Sequence, residues 1–164
     1  MIVKIEKSRL FKILLLALIF ATLVFIAVQS LLPPAKSTAE SEAISDMIEV
    51  IIPSGTPSGD AVHKNVSSIG HFAEFALLGA EIAVYIFFFE RRRLCLILAP
   101  VFSPLVALLD ETLQYISKRT PDIADVWTDT AGFVSAYLML MGIFYLQKYI
   151  RKRIKDKNGE NNIG

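Results

Sequence analysis

DETLQYISKRTPDIADVWTDTAG, residues 110–132, sets Asp110, Glu111, Gln114, Arg119, Asp122, Asp125 and Asp129 between two strongly apolar segments. Ionisable groups held at the edge of a membrane are expensive, so a dense set of them there points to a purpose. The rest of the chain reads as the frame that carries this stretch.

Working outward, the apolar segment before it spans about 94–113 and contains Pro100 and Pro104. Prolines are tolerated in membrane helices when neighbours satisfy the freed carbonyls, and a kink is expected. The segment after it spans about 126–149 and ends in Arg151-Lys152-Arg153 with Lys155 and Lys157. A further span, about 70–89, is stopped by Glu90-Arg91-Arg92-Arg93, and the first, about 10–32, follows the basic Lys4, Lys7, Arg9 and Lys12. Each lies near the ~20 residues a helix needs to cross a bilayer. The first run exceeds the ~7–15 apolar residues of a cleaved signal peptide and lacks a clear small-x-small site, so it reads as an uncleaved helix.

Composition agrees. The chain of 164 residues, 54% of them apolar, has room for one domain. Its mean hydropathy is +0.51, and its charges collect at the ends of apolar runs, as in a multi-pass membrane protein. The balance of 17 basic to 16 acidic residues excludes the one-sided excess of Lys and Arg that a nucleic-acid binder uses. Cys95, the sole cysteine, can form no internal disulfide and reads as a small packed hydrophobe. The fold expected is an all-α integral membrane four-helix bundle over residues 1–157, with 158–164 a disordered cytoplasmic tail.

Pro33 and Pro34 end the first helix. In the polar stretch that follows, Ile44, Met47, Ile48, Ile51 and Ile52 recur at helical spacing, which predicts a short amphipathic helix on the membrane surface. Pro53 to Gly59 reads as a turn-rich loop and His63 as a solvated loop histidine. Short cytoplasmic loops retain Lys and Arg, so the N-terminus, the triple arginine and the C-terminal basic run are expected in the cytoplasm. Four crossings then put the 33–68 and 114–124 loops outside.

That topology brings three pairs to one membrane face: His71 and Glu74, Glu111 and Gln114, Asp125 and Asp129. Spacings of three or four residues put each pair on one helical face, able to point into a common pocket. Gly132 and Ala136 continue the Asp125/Asp129 face as a small-residue stripe suited to close helix contact. Glu81 continues the His71/Glu74 face and falls near mid-membrane.

Gly70-His71-Phe72-Ala73-Glu74-Phe75-Ala76-Leu77-Leu78-Gly79, followed by Asp110-Glu111-x-x-Gln114, Arg119 and Asp125-Val126-x-x-Asp129-x-x-Gly132, resembles the VanZ-like family of bacterial membrane proteins. Gln29-Ser30 with Ser41-x-x-x-Ser45 resembles the family's first outer loop. Ser67-Ser68 stand where many relatives carry Arg-Lys, Leu113 where they carry His, and Ala136 where they carry a second Gly. The resemblance implies a small helical membrane domain linked to the cell envelope. In some members the link is to teicoplanin or other glycopeptide resistance, in others to surface polysaccharides.

On this reading the pocket serves a lipid-linked or peptidoglycan-related head group at the outer face of the bilayer. His71 is the proton-transferring candidate, because an imidazole titrates nearest neutrality. Glu74 or Glu111 orients it, Asp125 and Asp129 form a second acid/base pair, and Gln114 and Arg119 bind substrate, the guanidinium clamping a phosphate or carboxylate. A divalent metal held by Glu111, Asp125 and Asp129, with His71 as a fourth ligand, is a variant of the same site. No HExxH or Cys-rich spacing accompanies it, and the expectation is a site without metal. The sequence names no cofactor. Two other classes stay open: binding or shielding of a cell-wall precursor without turnover, and a purely structural hydrogen-bond network between helices. A channel or transporter lacks support from any inverted repeat.

Overall fold

The computed structural model describes residues 9–53, 55, 59, 62, 65–90 and 93–160, and five helices are set out among the described residues. They are α1 (Arg9–Ser30), α2 (Pro34–Glu49), α3 (Val66–Phe89), α4 (Arg93–Ile116) and α5 (Ile123–Glu160). No strand occurs among the described residues. Lys4, Lys7, His63, Arg91, Arg92 and residues 161–164 lie outside them. Four helices, α1, α3, α4 and α5, are long and apolar enough to cross a membrane. The fold is thus the expected all-α membrane bundle. Helix α5 runs beyond residue 149, where the apolar run ends, through the basic segment to Glu160.

The bundle wears its apolar residues outside as well as inside. Phe20, Leu77, Val101, Leu109 and Leu138 are all more than half exposed, which suits a surface solvated by lipid rather than water. The interior is a narrow seam of Leu15, Ile19, Ile26, Phe75, Leu78, Ala83, Ala107, Phe133, Tyr137 and Met141. Helices α3 and α5 share the most extensive contact, and two glycines allow it. A Cβ on Gly79 would overlap the Phe133 carbonyl, and one on Gly132 would overlap the Phe72 carbonyl. The expected small-residue stripe on α5 is therefore a crossing point, with Gly79 as its counterpart on α3.

At the opposite end from the 110–132 stretch, aromatic rings tie the helices together. Phe87 stacks on Phe144 at 4.6 Å, and Phe11 of α1 meets Phe88 and Phe89 at 6.2 and 5.7 Å. Lys12 lies 5.6 Å over the Tyr85 ring, a cation–π contact.

The prolines inside α4 are accommodated by hydroxyl donors. Pro100 has no N–H to offer the Leu96 carbonyl four residues earlier; the Tyr137 hydroxyl of α5 donates to it at 2.9 Å. Pro104 likewise leaves the Pro100 carbonyl without its helical donor, and the buried Ser103 hydroxyl donates there at 2.8 Å. Every carbonyl freed in the apolar interior must find such a substitute.

Candidate functional site

The C-terminal ends of α1 and α4 and the N-terminal ends of α3 and α5 meet at one end of the bundle. Ser30, the last residue of α1, is 2% exposed; its hydroxyl donates to Asp110 Oδ1 of α4, with the Ile26 carbonyl 2.8 Å away. Ser117 Oγ reaches back to the Ser30 carbonyl at 3.0 Å, fixing the end of α4 against the end of α1.

Helix α4 then closes with a left-handed residue. Lys118 has φ 64°, its N–H donates to the Tyr115 carbonyl at 3.1 Å, and the Arg119 N–H donates to the Gln114 carbonyl at 3.0 Å. This Schellman pattern satisfies the last carbonyls of the helix and folds Arg119 back over its end. Helix α5 starts on Asp122, whose Oδ1 accepts the Ala124 N–H at 2.8 Å as an N-cap.

Glu111 pins this loop. Its Oε2 accepts the Asp122 N–H at 2.8 Å and its Oε1 accepts the Gln114 amide at 2.9 Å. The same Gln114 nitrogen donates to Asp110 Oδ2 at 2.9 Å, so one amide holds two adjacent carboxylates apart.

The centre of the site is His71 of α3. Its Nδ1 stands 3.4 Å from Asp129 Oδ1 of α5 and 3.8 Å from Asp110 Oδ2 of α4. Asp129 is 0% exposed, and neither of its oxygens nor His71 Nδ1 has a hydrogen-bond partner. The glycine crossing explains the proximity: His71 precedes Phe72, whose carbonyl meets Gly132, and Asp129 lies one turn before Gly132. Two buried carboxylates on one imidazole bind cations and protons, and hold a ring nitrogen in a fixed orientation.

A cavity of about 70 Å³ opens beside this centre, lined by His71 and Glu74 of α3, Ser37 and Ser41 of α2, Gln29 and Arg119. It adjoins a wider one of about 380 Å³ between α2, Ser67 and the Lys118 to Thr120 segment. Arg119 lines both; Glu40 and Glu74 line the smaller one with it, and among the described residues no carboxylate forms an ion pair with it within 4.0 Å. Helix α2 roofs the cavities with its serine face, while Met47, Val50 and Ile51 point away, 74%, 85% and 81% exposed.

The sequence-based residues are thus distributed in three groups. His71 and Asp129 meet at the centre, with Glu74 at the adjoining cavity beside Arg119. Gln114 supports the centre from beneath. Glu111 and Asp125 stand aside: the first holds the loop, and the second is half-buried with Ser68 Oγ 3.4 Å from its Oδ1. Among the described residues the set in ligand range of one point is His71, Asp110 and Asp129; it shares His71 and Asp129 with the metal variant considered from the sequence and has Asp110 where that variant has Glu111 and Asp125. The reason is helical phase, since Asp110 and Glu111 lie about 100° apart around α4 and only Asp110 faces α3 and α5. Asp110 and Ser30 are the residues that pairwise spacing passed over. Asp110 carried a signal nonetheless, standing four residues before Gln114.

The chain matches the VanZ/LLP1 family over residues 10–145. No curated protein and no solved structure matches it. The matched range contains every residue of the centre and of the cavity lining.

Proposed function

The chain belongs to the VanZ/LLP1 family, and from that premise we propose that its buried polar centre acts on the head group of a lipid-linked envelope intermediate. The observation that carries this reading is His71 Nδ1 facing the buried carboxylates of Asp110 and Asp129 at the edge of a cavity that also presents Arg119. A guanidinium can grip a phosphate bidentately.

The roles follow from position. With Nδ1 turned to the carboxylates, the other ring nitrogen of His71 is the one left to move a proton to or from a head group in the cavity. Asp129 and Asp110 orient the ring, and Gln114 with Ser30 fixes Asp110. Glu74 stands beside the bound group as a second acid/base candidate. Ser67 and Ser68 replace the basic pair of many relatives, so the grip on an anion falls to Arg119.

A lipid tail has its own place. An apolar groove of about 230 Å³ runs between α1 and α4, lined by Ile19, Leu23, Leu78, Phe102 and Val106. Leu78 lies two turns along α3 from His71, so a chain seated there reaches the polar centre at its head. The basic segments Arg9 to Lys12 and Arg151 to Arg153 lie at the far end of the bundle. The positive-inside rule puts that end and both termini in the cytoplasm and the cavity at the outer face. Envelope chemistry of this kind fits the teicoplanin and surface-polysaccharide links of the family.

Mass spectrometry of membrane lipids and lipid-linked cell-wall precursors tests the reading, comparing cells that express wild type or His71→Ala at matched membrane levels. A species whose mass changes only with wild type identifies substrate and reaction. Identical profiles in strains that differ in glycopeptide sensitivity overturn head-group chemistry and leave stoichiometric binding or shielding of a precursor.

A further inference from the structure

The centre has an imbalance that the head-group reading leaves unexplained. Asp110 is well served, with Ser30 on one oxygen and Gln114 on the other. Asp129 is fully buried with both oxygens lacking a hydrogen bond, and the facing His71 Nδ1 lacks one too. Two carboxylates and one imidazole nitrogen thus converge with the Asp129 oxygens and the His71 nitrogen unmet. Buried polar atoms left without a partner are costly.

The geometry answers this. Nδ1 of His71 and one oxygen each of Asp110 and Asp129 all lie within 4.8 Å of one another. A single ion at the ~2.0–2.2 Å distances usual for imidazole and carboxylate ligands bridges such a spread with small side-chain adjustments. We propose that His71, Asp110 and Asp129 form a binding site for a divalent first-row cation. The mixed nitrogen and oxygen donors suit Mn²⁺ or Zn²⁺ better than Ca²⁺, which takes oxygen ligands.

Gln114 and Ser30 then act as the outer shell that orients the Asp110 carboxylate toward the ion. Three protein ligands leave coordination positions open. His71 also lines the cavity that Arg119 shares, so the site lies beside that cavity. The inference goes beyond the head-group reading and stands apart from it, because the ion needs no lipid to bind.

The test uses the full chain purified in detergent, stripped with EDTA and titrated with Mn²⁺ under electron paramagnetic resonance, then with Zn²⁺ under thermal unfolding. One saturable ion per chain and a rise in Tm are expected. Asp129→Asn keeps the side-chain shape and removes one ligand oxygen, so it folds yet loses the metal-dependent rise in Tm. Gln114→Ala lowers affinity by about 10–100-fold. Should Asp129→Asn fail to fold, His71→Ala is read in the same way. Absence of saturable binding to wild type, or equal binding by wild type and the folded variant, overturns the site. Either result leaves the lipid profile of the His71→Ala comparison to decide head-group chemistry by itself.

Discussion

Gly132 of α5 lies against the carbonyl of Phe72 on α3 with no room for a Cβ between them. Because His71 and Asp129 are the near neighbours of this contact, the spacing of the backbones sets the 3.4 Å separation of their side chains. The crossing is a mechanical datum for the site, and perturbing it perturbs the chemistry.

Gly132→Ala is expected to destabilise the bundle by about 1–3 kcal/mol, the range for overpacking a close contact, and to abolish whatever activity His71→Ala abolishes. Gly142 is the control on the same helix. A Cβ there meets nothing within 4 Å, so Gly142→Ala is expected to be neutral or stabilising by up to about 1 kcal/mol. Unfolding in detergent micelles measures both.

Tyr137 and Pro100 form a coupled pair through the Leu96 carbonyl. Removing the hydroxyl in Tyr137→Phe strands the Leu96 carbonyl that Pro100 leaves open, at a cost of about 1–3 kcal/mol. In a Pro100→Ala background the restored N–H serves that carbonyl, and the same substitution is expected to cost well under half as much. A double-mutant cycle on thermal stability reads the coupling directly.

Glu81 in mid-bundle receives the Thr22 hydroxyl at 2.9 Å. Thr22→Val removes the donor and is expected to cost about 1–3 kcal/mol in the wild-type chain. In a Glu81→Leu background it should cost close to nothing. Equal costs in both backgrounds would show that the pair contributes packing alone.

Lys118 occupies a left-handed conformation at φ 64°, which disfavours a side chain by about 1 kcal/mol or more. Lys118→Gly is therefore expected to raise stability by up to about 1 kcal/mol, and Lys118→Val to lower it. Unfolding midpoints of the two variants, compared at equal detergent, distinguish these signs.

Much of the architecture was legible in the sequence because lipid imposes a simple code. Apolar runs closed by basic clusters located all four long helices, and the lone small stripe around Gly132 announced a close crossing. The site was legible by residue type and less so by partnership. Pairwise spacing on one helix shows which residues share a face, but not the rotation of that face against its neighbours. Asp110 and Glu111 are adjacent in sequence and both buried, yet one faces His71 and the other caps a loop. Only the packing of α4 against α3 and α5 separates them. The hydroxyl donors were illegible for a similar reason, since Tyr137 answers a proline on a different helix.

The polar centre draws one residue from each long helix: Ser30, His71, Asp110 and Asp129. This dispersal matters for biogenesis. An aspartate at the middle of a lone inserting helix costs about 2.5–3.5 kcal/mol on insertion scales, and a helix carrying the whole set would stall at the translocon. Shared among three of the four helices and kept near their ends, the ionisable groups leave each segment insertable by itself. The centre comes into being only when the last helix docks, so a chain truncated before α5 enters the membrane with no site to misfire.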